Sequence, residues 1–195
     1  MTMKKAQLIL TFVIAVIVPI FALYSLTFAV YSLNYFEYFS GNEIFRKILC
    51  MIIYLISFLA LAGVLVLFVF KLIGKNKVKD LEILPLFVMT AEFFLLSVVW
   101  LFDEHPWTVY WVIFSFTLVM LPIMIVGYLI KNNLAKNILY FVTLLIELVF
   151  NFVLLGMDYP LYNIFQYILL FIMIFVLSAY FVLSIVSNKV NNKES

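Results

Sequence analysis

Charge is what this sequence has least of: among 195 residues only 11% are Asp, Glu, Lys or Arg, while 68% are hydrophobic and the mean hydropathy is +1.23. Soluble domains carry about 25% charged and about 45–50% apolar residues, so this composition has no water-facing surface to offer. Cysteine is nearly absent. The single Cys50 excludes an intramolecular disulfide, cannot alone build a structural metal site, and opens an apolar run as an expected small buried filler. Protease signatures are missing as well: there is no Gly-x-Ser-x-Gly, no His-Glu-x-x-His and no Glu-Glu pair with a downstream Arg. The one histidine, His105, is far in sequence from Cys50. Nothing reads as a cofactor site or a nucleic-acid site, so neither partner is expected.

What the chain does have is long apolar runs. Ala6–Phe36, Ile48–Phe70, Pro106–Ile130 and Tyr159–Asn188 are free of charge, and two more runs carry one carboxylate each. A helix rises about 1.5 Å per residue, so about 20 such residues cross about 30 Å of hydrocarbon. The expectation is an all-α, polytopic membrane protein: one six-transmembrane-helix bundle over residues 1–195 with short loops. Its spans are expected near 6–32, 48–70, 83–102, 107–130, 137–156 and 160–187. Lys4 and Lys5 before the first run imitate a signal peptide, but the run is far longer than the usual 7–15-residue core, so a retained helix is read.

The basic residues give the spans an orientation. Lys4 and Lys5, Lys71, Lys75, Lys77 and Lys79, Lys131 and Lys136, and Lys189 and Lys193 fall on one side; Arg46 and Lys47 fall on the other. Ten against two is a positive-inside bias that puts both termini in the cytoplasm of a plasma membrane. Trp100, Trp107 and Trp111 mark the opposite interface, where amphipathic rings prefer the headgroup level. Eleven lysines to one arginine, with abundant Asn, Ile and Phe, suit an AT-rich bacterial genome. The outer connection 33–46 mixes aromatics with Glu37 and Glu43 and reads either as a loop anchored in the interface or as a ligand-binding loop.

Two carboxylates fall inside the lipid. An ionisable group at mid-bilayer needs a partner, a proton or a function, and Glu92 and Glu147 both lie near the midplane of their spans. Thr143, Glu147 and Asn151 recur every four residues and so stack on one helix face. Gln166 and Asn163 of the sixth span reach the depth of Asn151, completing a candidate polar seam in which the two glutamates can face each other. Glu92, Glu147, Thr143, Asn151 and Gln166 are thus a candidate proton or cation site, or a set of interhelical hydrogen bonds that holds the bundle together. At the outer end of the third span Asp103, Glu104 and His105 form a second candidate, either a metal or acid/base site or a plain acidic loop.

Proline adds one more pattern. Pro19 and Pro122 are deep in the first and fourth spans while Pro85 and Pro160 open the third and sixth, which suits an inverted three-plus-three repeat or simply kinked helices. Three function classes follow. A non-catalytic membrane partner of accessory, assembly or immunity type comes first; its partners are the bilayer and another membrane protein or a second copy. A small proton- or cation-linked transporter is the alternative. An enzyme at the outer face is the third, resting on Asp103, Glu104 and His105.

Overall fold

In hydrocarbon every backbone N–H and C=O must be satisfied within the chain, and apolar runs of this length do so as helices. The computed structural model describes residues 3–34, 42–74, 80–101, 108–156 and 164–191. They form α1 (Met3–Asn34), α2 (Asn42–Leu72), α3 (Leu84–Leu101), α4 (Thr108–Leu129), α5 (Asn133–Gly156) and α6 (Ile164–Asn191). All six are long and apolar enough to cross a membrane. A 3-10 turn, Leu81–Ile83, leads into α3. Helix α2 begins at Asn42, ahead of the expected second span, and takes Arg46 and Lys47 into the helix. The expected start of the sixth span, with Pro160, lies outside the described residues, as do residues 35–41 of the outer connection.

Each helix packs chiefly on its neighbours in sequence, and α6 returns to α1, so the six close into a ring. Gln7, near the start of α1, donates to Ser184 Oγ near the end of α6 at 2.9 Å. The two ends of the helical chain therefore meet at one end of the bundle. The ring encloses a dry core in which Ile14, Val18, Phe68, Leu81, Tyr140, Leu144, Met173 and Leu177 are fully buried. Cys50 packs against Ile53 and Val99 as a small buried filler.

Helix α5 turns its polar face inward. Its polar Asn137, Thr143, Glu147 and Asn151 are buried, while Ile138, Val142, Val149 and Phe152 are exposed. A soluble helix does the reverse. Pro19 and Pro122 lie within α1 and α4. Gly127 of α4 matters for packing, because the edge of the Tyr140 ring on α5 occupies the space its Cβ would need.

Candidate functional site

The polar groups gather most densely at the end of the bundle where Gln7 and Ser184 meet. The turn before α3 brings two acids there. Asp80 adopts φ 57° and ψ 27°, a left-handed conformation that Asp tolerates better than most side chains. Its carboxylate does not cap the turn; instead it accepts from Lys136 Nζ of α5 at 2.8 Å. Lys136 is fixed from its own side, since Asn132 Oδ1 accepts from the backbone N–H groups of Leu134 and Ala135 at 2.9 and 3.2 Å and caps α5.

Glu82 is the centre of this region. Its side chain is only 1% exposed, and a carboxylate removed from water requires counter-charge and donors. Lys71 Nζ of α2 donates to it at 2.6 Å, Thr11 Oγ1 of α1 at 2.9 Å, and the Tyr180 hydroxyl of α6 also hydrogen-bonds it. One carboxylate thus ties three helices to the turn that starts a fourth. Between the two ion pairs lies a vestibule of about 350 Å³. Lys71, Asp80, Glu82 and Lys136 line it, together with the amides of Gln7, Asn133, Asn137 and Asn188. Among the described residues its lining thus presents two cations, two anions and several neutral donors and acceptors.

The midplane is arranged differently. Thr90 Oγ1 of α3 lies 2.8 Å from the Leu86 carbonyl oxygen and 3.1 Å from Glu147 Oε1, so its single proton is shared between its own helix and α5. Asn151 Nδ2 donates to the Glu147 backbone carbonyl at 2.8 Å and only grazes Oε2 at 3.5 Å. The space beside these groups is about 10 Å³, roughly one water. Glu92 accepts from Ser25 of α1 at 3.2 Å and is also hydrogen-bonded by Ser57 of α2.

The expected meeting of the two glutamates does not occur. Thr90 and Glu92 are two residues apart on α3, roughly 200° around the helix, so Thr90 meets α5 while Glu92 turns to α1 and α2. Thr143 shares the buried face of Glu147 and Asn151, yet its hydroxyl donates back to the Leu139 carbonyl at 2.9 Å. The side chain of Gln166 lies outside the described residues, as do Asn163, Asp103, Glu104 and His105.

These contacts give the midplane a measurable structural role. Thr90→Val is expected to lower the unfolding free energy by about 0.6–1.7 kcal/mol, the range for interhelical hydrogen bonds in membranes. Glu147→Gln retains an oxygen for Thr90 and is expected to stay within about 1 kcal/mol of wild type. Unfolding in mixed detergent measures both, and a Glu147→Gln variant that fails to assemble contradicts the second.

The vestibule was hidden from the sequence because its charges fall at span ends and count there as loop charges. The available signal was Lys-Asp-Leu-Glu-Ile-Leu-Pro, residues 79–85, which places two acids immediately before an apolar run. Comparison with protein-family models, curated proteins and solved structures finds no match for this chain.

Proposed function

We propose that this chain is a multi-pass, non-catalytic membrane protein that binds a small ligand bearing both a positive and a negative charge in the vestibule. The observation behind this reading is the volume of about 350 Å³ between the Lys71–Glu82 and Lys136–Asp80 pairs. Buried ion pairs are poor devices for stability, since apolar residues of similar volume often serve as well. Here they border open space, so a zwitterion can offer each sign a replacement partner. The lysine excess puts this end, and both termini, on the cytoplasmic side of a bacterial plasma membrane under the positive-inside rule. An accessory or immunity-type role agrees with such a binding function.

Proton- or cation-linked transport through Glu92 and Glu147 is the second reading. It has the midplane carboxylates in its favour, but the one-water space beside Glu147 favours interhelical bonding over ion passage. The experiment is a thermal-unfolding titration of the full chain in neutral detergent with glycerophosphoethanolamine and with glycine betaine. A ligand at about 100 times its Kd stabilises by about 2.7 kcal/mol, so the melting temperature is expected to rise saturably with glycerophosphoethanolamine. Lys136→Gln is expected to remove the rise. No saturable shift with either probe, or an unchanged shift in Lys136→Gln, overturns the reading.

A further inference from the structure

Beside the vestibule runs an apolar groove of about 200 Å³ between α3, α4 and α5, lined by Ile83, Phe87, Met124, Ile125, Tyr128 and Tyr140. Ile125 and Tyr128 are half-exposed on the flank of the bundle, so the groove is open sideways to the surrounding hydrocarbon. Tyr140 is wholly buried, and its hydroxyl oxygen has no hydrogen-bond partner among the described residues. Buried hydroxyls are rarely left in that state. Tyr140 is one of the residues that line the groove, and a buried donor without a partner is suited to an acceptor carried by an otherwise apolar ligand.

The groove adjoins the vestibule, although the two share no lining residue. Ile83 follows Glu82 directly, and Tyr140 stands one turn beyond Asn137 on α5, about 4.5 Å along the helix axis. The Tyr140 ring packs on Phe181, which lines the vestibule, at a centroid distance of 5.3 Å. From the bundle's middle toward its end the order is apolar groove, unpaired donor, charged vestibule. An acyl chain, an ester carbonyl and a polar headgroup follow one another in the same order.

Charge complementarity selects the headgroup. Among the described residues two lysines and two carboxylates line the space, so a purely anionic group that drew both of these lysines away would leave Asp80 and Glu82 without their counter-charge. A zwitterion supplies one charge to each sign. We propose that groove and vestibule together hold one zwitterionic glycerophospholipid, its acyl chain along Ile83, Phe87 and Ile125, an ester carbonyl on the Tyr140 hydroxyl and its headgroup between the two ion pairs. This rests on the vestibule as the binding site and names its ligand class.

Native mass spectrometry of the full chain in neutral detergent, titrated with dioleoyl phosphatidylethanolamine and separately with dioleoyl phosphatidylglycerol, tests it. Wild type is expected to bind the ethanolamine lipid at least ten-fold more tightly than the glycerol lipid. Tyr140→Phe removes only an unpartnered hydroxyl and is expected to weaken that binding about five-fold, the size of one lost hydrogen bond. Ile125→Trp fills the groove from its exposed flank and is expected to weaken it ten-fold or more. Both variants should keep the melting-temperature response to glycerophosphoethanolamine, which needs no groove. If that response persists while both variants bind the lipid as wild type does, or while phosphatidylglycerol binds equally well, the lipid assignment falls and the vestibule reading stands. If wild type shows no response to either soluble probe, the vestibule reading itself falls.

Discussion

Glu82→Ala is expected to destabilise the bundle by about 3 kcal/mol, a drop in melting temperature on the order of 10 °C. Removing one partner of a buried ion pair usually costs about 3–5 kcal/mol because the other charge is stranded. Lys71 is 28% exposed and can turn toward water, which argues for the lower end of that range. The loss of the acceptor for Thr11 and Tyr180 argues against a smaller value. Glu82→Gln keeps an accepting oxygen and should recover about half of the loss. In the double variant Glu82→Leu with Lys71→Met, both charges are gone and packing is restored, so its stability should return to within about 1 kcal/mol of wild type. Far-ultraviolet circular dichroism on heating in detergent measures all three. A Glu82→Ala variant that melts with wild type would mean that the carboxylate does not tie the helices together.

The second large effect is expected from the smallest change, Gly127→Ala. The added Cβ would stand 2.5 Å from Tyr140 Cε1 and 3.1 Å from Cδ1, closer than carbon atoms approach. Ala gains about 1 kcal/mol over Gly in helix propensity, so the sign depends on whether the ring can yield. It is wholly buried and packed on Phe181 at a centroid distance of 5.3 Å, so a shift into the neighbouring groove gives up that contact. A net loss of about 1–3 kcal/mol is expected, the usual cost of overpacking. Adding Tyr140→Leu should make the two substitutions less than additive, with a coupling of about 0.5–3 kcal/mol. Additive losses would show that the contact does not set the α4–α5 distance.

The six helices were legible in the sequence because a bilayer imposes one length and one polarity on every span, and each apolar run answers both demands. The buried face of α5 was legible too, since residues four apart on a helix must stack and Thr143, Glu147 and Asn151 do share it. Which helix that face meets was not. Spacing along one helix carries no information about a neighbour's rotation, so Thr90, an unremarkable hydroxyl in sequence, turned out to be the partner of Glu147, while Glu92 turned to Ser25 and Ser57. The vestibule was illegible for a related reason. Lys71, Asp80, Glu82 and Lys136 belong to separate span ends, and only the closed ring makes their proximity visible.

Closure of the ring by α6 on α1 also imposes an order in time. Helices enter the membrane in the order of synthesis, and α6 contributes Tyr180 to Glu82, Ser184 to Gln7 and part of the vestibule's wall. Until the sixth helix is in place, Glu82 lacks one of its donors and α1 lacks its packing against α6. The vestibule is therefore complete only once α6 is in place, and a chain lacking α6 would leave Gln7 without Ser184 and Glu82 without Tyr180.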